Sequence, residues 1–299
     1  MATVDLRTAV REGVVVLDGG LATQLEAQGC DLSTSLWSAG LLADRPEQVY
    51  AAHRAFFAAG AQVATTASYQ ASFEGFAAAG VGRREVTALL RRSVELARRA
   101  AADEPGDGPR WVAASVGPYG AVLGDGSEYR GDYGLDVRAL RAFHHERLAV
   151  LADAGPDVLA VETIPSLAEV EAVVAELAPL GIPAWVSITA AGTRTRAGEP
   201  AADAFAAAAT EPTVIAIGVN CTHPDDIPGL LEIAARSSSG PLVAYPNSGE
   251  GWDATARQWR GRPGFSPGEV RRWTGLGARL LGGCCRVTPA DIQALVGSV

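Results

Sequence analysis

The sequence contains no lysine: all 25 basic residues are arginine. Without a side-chain amine there is no Schiff base, which excludes lysine aldolases and pyridoxal phosphate enzymes. A phosphate loop ending in Gly-Lys-Ser/Thr is excluded by the same absence. Cysteine is scarce. Four in 299 residues do not make a disulfide framework, and the reading expects them to stay reduced. Basic runs are missing too. With 34 acidic against 25 basic residues, nucleic acid is not an expected partner. No apolar run approaches the roughly 18–20 residues that cross a bilayer, and Met1 to Glu12 lacks the apolar centre of a signal peptide. A soluble, cytoplasmic protein that meets neither membrane nor nucleic acid is therefore expected.

What is present is ample material for a core, 48% hydrophobic residues. Short apolar runs alternate with amphipathic stretches. The runs are Val14–Asp18, Gln62–Thr66, Trp111–Val116, Asp157–Glu162, Ala184–Thr189, Thr213–Asn220, Pro241–Tyr245 and Gly277–Gly283. Several are apolar on successive positions, as strands buried on both faces are. Helical spacing is expected over Pro46–Ala59, Arg83–Ala101, Val137–Ala152, Ser166–Leu177, Ala201–Ala209, Asp225–Arg236, Ser266–Thr274 and Thr288–Val296. Ser166 and Glu169 have the spacing of a capping box. Eight strands with eight helices fit a (β/α)8 barrel, which takes about 250 residues. Residues 1–299 are read as one such α/β domain. A doubly wound sheet is disfavoured, because no Gly-x-Gly-x-x-Gly is present. The loops Gly117–Asp136 and Pro246–Pro263 are long enough to be lids or binding loops.

In this fold chemistry belongs at the C-terminal ends of strands. The runs end in Asp18, Thr66, Glu162, Asn220-Cys221 and Cys284-Cys285, among others, so three cysteines converge on one rim beside two carboxylates. Cys221, Cys284 and Cys285 read as a zinc site with an open fourth position. Three structural cysteines buried as small apolar residues are the alternative, and placement at strand ends favours the metal. Three thiolates leave zinc a poor activator of water but a good binder of a further thiolate, so the reaction class is alkyl transfer to a substrate thiol. Cys30 is not an expected ligand. Neither are His53, His144 and His145, which lie in helices; His223 is placed beside the site at most. Glu85, Glu95, Glu169, Glu171 and Glu176 read as solvated helix faces.

The strings Asp18-Gly-Gly-Leu-Ala-Thr23, Thr66-Ala-Ser-Tyr-Gln70, Ser115-Val-Gly-Pro-Tyr-Gly-Ala121, Glu162-Thr-Ile-Pro165, Gly218-Val-Asn-Cys221, Tyr245-Pro-Asn-Ser-Gly-Glu250 and Gly282-Gly-Cys-Cys-Arg286 resemble the homocysteine S-methyltransferase family. The resemblance runs from about Val14 to Leu295. Asp125-Gly-Ser-Glu-Tyr-Arg-Gly-Asp-Tyr133 further resembles the bacterial and plant enzymes that use S-methylmethionine. The resemblance implies zinc held by Cys221, Cys284 and Cys285. It also implies a homocysteine ammonium held by Asp18 and Glu162, and a homocysteine carboxylate held by the amides of Gly19 and Gly20, with Thr66 and Asn220 nearby. Thr163 stands where betaine-using relatives carry a tyrosine, and Arg286-Val287-Thr288 replaces the commoner Arg-Thr-Thr.

A sulfonium donor calls for aromatic faces and carboxylates. Trp37, Tyr119, Glu128, Tyr129, Asp132 and Tyr133 are the candidates, with ordinary packing the alternative for each aromatic. Within the family, S-adenosylmethionine as donor and selenocysteine as acceptor stay open. From other classes, a zinc-dependent barrel hydrolase would need His and Asp ligands, and a non-catalytic thiol-binding protein would need no metal.

Overall fold

The eight apolar runs become eight parallel strands: β1 (Val15–Val16), β2 (Val63–Thr65), β3 (Trp111–Val116), β4 (Val158–Ile164), β5 (Ala184–Ile188), β6 (Val214–Asn220), β7 (Leu242–Tyr245) and β8 (Ala278–Leu281). They are seen in a computed structural model that describes residues 4–32, 37–106, 108–253, 258–261 and 264–299. Neighbours in the sheet run β1-β8-β7-β6-β5-β4-β3-β2. A parallel bridge between Leu17 and Val63 joins the first and last of these, so the sheet closes into a barrel. Each strand leads to a helix on the outside: α1 (Pro46–Ala58), α2 (Arg83–Asp103), α3 (Val137–Asp153), α4 (Leu167–Leu177), α5 (Ala201–Ala208), α6 (Ile227–Ser237), α7 (Val270–Gly275) and α8 (Pro289–Val296). Among the described residues no helix is long and apolar enough to cross a membrane.

Side-chain parity explains how the barrel is filled. Successive residues of a strand face opposite sides. Val158 and Ala160 of β4 join the inner cluster, whereas Leu159 and Val161 join the outer one beneath the helices. The same split puts Trp111 and Ala113 of β3, Trp185 of β5 and Val243 and Tyr245 of β7 inside. Continuing each series upward places Ser115, Glu162, Ser187 and Asn220 inside as well. The lower barrel is thus apolar and its upper end polar. A short helix that the sequence reading did not anticipate, Leu6–Glu12, closes the lower end with Leu6 and Val10. Trp111 Nε1 donates to Val4 O beside it (3.1 Å). Each such buried side chain contributes about 1.5–3 kcal/mol of transfer free energy.

Several local expectations are corrected. Ser166 Oγ accepts from the Glu169 amide (3.3 Å), but the Glu169 carboxylate turns away to other partners, so only half a capping box forms. The complete box is Thr288 with Asp291 at the start of α8. Glu169 and Glu176 are buried, not solvated. The loop after β3 contains a helix, Tyr119–Leu123, and a 3-10 turn, Ser127–Tyr129. An unexpected hairpin, Ala190–Ala191 with Arg194–Thr195, follows β5.

Candidate active site

Three non-glycine residues among those described have positive φ: Thr163 (61°), Cys221 (46°) and Arg286 (65°). The left-handed conformation costs such residues roughly 1–2 kcal/mol. All three stand at the upper rim, next to Glu162, Asn220 and Cys285 respectively. Strain concentrated at one end of the barrel marks where side chains are re-aimed. Two glycines do related work at the end of β8. A Cβ on Gly282 would sit 2.6 Å from Asp18 O, and one on Gly283 would run into the Val287 side chain. Only bare backbone lets the chain turn here and bring Cys284 and Cys285 over the barrel mouth.

The sulfurs of Cys221, Cys284 and Cys285 lie within 4.8 Å of one another. Metal–sulfur bonds of about 2.3 Å in a tetrahedron place sulfurs about 3.8 Å apart, so this trio fits one ion. The structure joins Cys221 and Cys284 as a disulfide and leaves Cys285 free. The expectation that every cysteine is reduced is corrected there. Removal from water pushes the Cys285 thiol up to about 11. Burial outweighs the Tyr129 hydrogen bond that favours the thiolate, and a bound metal would supply the missing positive charge. Cys30 is buried in the core away from the trio.

Two carboxylates lie beneath the sulfurs. Asp18 accepts from the Thr65 amide (2.7 Å) and hydroxyl (2.8 Å). Glu162 accepts from the Ser115 hydroxyl, and the Tyr245 hydroxyl faces it. Both acids are buried, and burial raises Asp18 to about 8 and Glu162 to about 7, against the pull of their hydrogen bonds. The proximity of Glu162 adds to the shift of Asp18. Such a pair favours a cation placed between its members. Tyr245 is itself fixed, receiving Trp185 Nε1 (2.9 Å) and pairing with Ser187 Oγ (2.8 Å).

Asn220 is spent within the protein. Its Oδ1 accepts from the Thr163 amide (2.7 Å) and Ser187 Oγ (2.8 Å), and its Nδ2 donates to Thr163 Oγ1 (2.8 Å). It braces the Thr163 turn. Thr66 pairs with Ser68 Oγ (2.7 Å) and accepts from the Ser115 amide (3.0 Å). Of the two amides expected to face a carboxylate, that of Gly20 donates to Val287 O (2.9 Å), and that of Gly19 has no backbone acceptor among the described residues. Both glycines are close-approach positions, since a Cβ would meet Val287 O at 2.5 Å or Cys284 O at 2.6 Å.

The aromatic candidates divide. Tyr129 lies within hydrogen-bonding reach of Cys285, and Glu128 is near both. One Glu128 oxygen is buried with no hydrogen-bond partner among the described residues. Tyr119 and Tyr133 instead anchor the loop. Their rings meet at a tilt with centroids 5.4 Å apart, and Tyr119 meets Phe143 edge-on at 5.1 Å. The Tyr119 amide donates to buried Glu169 (2.6 Å), which also meets His144 Nε2 (2.9 Å). Asp132 is exposed and pairs with Arg130 (3.5 Å), outside the site. The Trp37 side chain lies outside the described residues. His53 is buried in the core, its pKa held down to about 4 by desolvation. His145 pairs with Glu176 on the outer surface, and His223 meets Gly249 O (3.1 Å); neither belongs to the sulfur trio.

Sequence reasoning missed Tyr69, Ser115, Ser187 and Tyr245. Tyr69 is half-buried, bonds Thr163 and lies near Glu162, Glu128 and Tyr129. Parity within the apolar runs was the signal for Ser115, Ser187 and Tyr245. Tyr69 lies beyond a strand and had none.

A family model described as homocysteine S-methyltransferase matches residues 15–299. A homocysteine S-methyltransferase of Escherichia coli (strain K12) is 46% identical over an alignment of 296 positions that covers 95% of each chain. Homocysteine S-methyltransferase 4 of Zea mays is 44% identical, covering 98% of this chain and 92% of its own. The crystal structure of the homocysteine methyltransferase MmuM from Escherichia coli, metallated form, superposes with a TM-score of 0.86 at 43% identity over 96% of each chain. Its oxidised form gives the same TM-score at 44% identity and the same coverage.

Proposed function

The chain belongs to the homocysteine S-methyltransferase family, and from that premise we propose that it moves a methyl group from S-methylmethionine to the thiol of homocysteine, giving methionine, with zinc as its metal. The observation that carries this reading is the sulfur trio standing over two buried carboxylates. Cys221, Cys284 and Cys285 would hold the zinc once the Cys221–Cys284 pair is reduced, because the thiolate is the ligand. Bound there, zinc would keep a guest thiol deprotonated at neutral pH, where a free thiol of pKa about 8.5 is mostly protonated.

Asp18 and Glu162 receive the homocysteine ammonium. Arrival of that cation reverses the burial penalty on both acids, so they ionise as the substrate binds. The Gly19 amide faces the carboxylate. Thr65, Ser115 and Tyr245 fix the acids, and hence the direction in which the acceptor sulfur points. The sulfur forms its bond to the methyl carbon as the donor's carbon–sulfur bond breaks. The bonding pair stays on the donor sulfur, which leaves as a neutral thioether. Positive charge disappears from the donor in this step, so a dry site favours it. Buried Tyr245 and half-buried Tyr69 supply apolar walls. Tyr129 and Glu128 face the sulfonium.

The test uses reduced protein with homocysteine and either S-methylmethionine or S-adenosylmethionine. Methionine is measured before and after chelation, alongside elemental analysis. Expected are one bound zinc per chain, methionine preferentially from S-methylmethionine, and loss of both zinc and product in Cys284→Ser. Metal-free protein of full activity would end the zinc reading. A preference for S-adenosylmethionine would replace the donor. A barrel hydrolase gains no support here, since the trio contains no histidine or carboxylate among the described residues.

A further inference from the structure

Arg196 lies just past the hairpin that follows β5, and its place is fixed from two sides. Its Nε donates to Thr189 Oγ1 (3.3 Å), and that hydroxyl donates to the backbone carbonyl of Cys221 (3.1 Å). Its guanidinium stands 5.6 Å from the ring centre of Tyr129, the residue that reaches Cys285. The two loops also dock on each other. The Ala197 amide donates to Pro165 O (3.0 Å). A Cβ on Gly131 would meet that same oxygen at 3.0 Å and the Ala197 methyl at 3.1 Å. Arg196 therefore stands beside Tyr129, on the loop side of the barrel mouth, and is tied through Thr189 to the Cys221 backbone.

Its charge has no counterpart in contact. Arg54, Arg91, Arg98, Arg99, Arg141 and Arg286 each touch a carboxylate. Buried Arg147 donates to the carbonyls of Gly117 and Tyr69. Arg196 is half-buried, and among the described residues neither of its terminal nitrogens has a hydrogen-bond partner; Asp226 acts on it only at longer range. Desolvation disfavours the charge, yet a guanidinium does not lose its proton in proteins. A fixed, partly dehydrated, unpaired guanidinium is half of a carboxylate clamp.

We propose that Arg196 receives the α-carboxylate of the methyl donor, so that the enzyme selects sulfonium amino acids over sulfonium ions that lack a carboxylate. This rests on the methyl-transfer reading above. The electrostatics make Arg196 a filter. A bare sulfonium approaching Tyr129 is repelled by the guanidinium. A donor carrying a carboxylate a few bonds from its sulfur converts that repulsion into a bidentate contact. Glu128, with a buried oxygen free of partners among the described residues, attracts the positive end. Both S-methylmethionine and S-adenosylmethionine satisfy Arg196, so it sets the substrate class and leaves the choice between them to other contacts.

The experiment crosses two donors with three proteins. The donors are S-methylmethionine and its carboxyl methyl ester; the proteins are wild type, Arg196→Gln and Arg196→Lys. In wild type, kcat/KM is expected to fall about 10- to 100-fold from acid to ester, the size of a charge-assisted contact. In Arg196→Gln the acid falls to the level of the ester and the ratio approaches one. Arg196→Lys keeps a charge without the fork and retains an intermediate ratio. The KM for homocysteine stays within about twofold of wild type throughout, which shows that the fold and acceptor site are intact. A wild-type acid-to-ester ratio preserved in both variants overturns the proposal. Absence of methionine from either donor in wild type would instead overturn methyl transfer from these donors, and this assignment with it.

Discussion

The two sides of the barrel mouth are built differently. The side we propose for the acceptor consists of strand ends. Asp18, Ser115, Glu162, Asn220 and Tyr245 are all buried, and hydrogen bonds from neighbouring strands fix each of them. The side we propose for the donor consists of loops. Glu128, Tyr129 and Arg196 are half-buried, and they come from a 3-10 turn and from the residue after a hairpin. A strand end inherits its position from the sheet and is hard to move without breaking the barrel. A loop holds its position through a few anchors such as Glu169. The contrast suits an enzyme with one acceptor and a choice of donors, because the variable partner meets the adjustable wall.

The comparison can be broken most severely at the centre. Replacing Cys285 by Ser should remove the metal and lower activity by more than roughly 100-fold, beyond the 10–100-fold typical of residues that merely support a ligand. Elemental analysis and methionine formation would check it. Next, Asp18→Asn should raise the homocysteine KM about 10- to 100-fold, the size of a charged hydrogen bond, while the donor KM holds steady. A matched rise in both constants would mean the two sides are not separable.

Acidity gives a third test of the acceptor side. Asp18 and Glu162 bind protons more tightly folded than unfolded, with folded values of about 8 and about 7. Their contribution to the stability of the substrate-free protein is full below the unfolded carboxylate range, near pH 4. It is lost as pH rises through 7 to 8. Thermal unfolding should show this loss in wild type and less of it in Asp18→Asn, and homocysteine should oppose it. Glu169→Gln addresses the donor side. Loss of charge-assisted bonds to the Tyr119 amide and His144 should lower stability by about 1–3 kcal/mol and raise the donor KM alone. Smallest of all, Thr288→Ala removes the cap of α8 and should cost about 1 kcal/mol with both KM values unchanged, as denaturant unfolding and steady-state kinetics would report.

The same division decided what could be read from sequence. Apolar runs bounded by Gly and Pro located all eight strands, and the residues closing those runs included Asp18, Glu162 and the three clustered cysteines. Strand residues obey a period of two, so position follows from count. Glu169 and Glu176 were misread as solvated because α4 was judged alone. They are seven residues apart and so share one face. The partners that bury them, Arg141, His144 and His145, come from α3. Tyr119 and Tyr133 were sorted with Tyr129 because all three occupy one loop, and only the fold shows the first two packed on each other, with the Tyr119 amide on Glu169. Arg196 gave no signal, since it belongs neither to the run ending at Thr189 nor to the helix starting at Ala201.

The helix Leu6–Glu12 seals the barrel at the end opposite the mouth. Its exposed residues, Arg11 and Glu12 among them, are therefore handles on the back of the molecule. Protein attached to a resin or electrode through this helix would hang with its opening toward the liquid, and a chain fused there would cast no shadow over incoming small molecules.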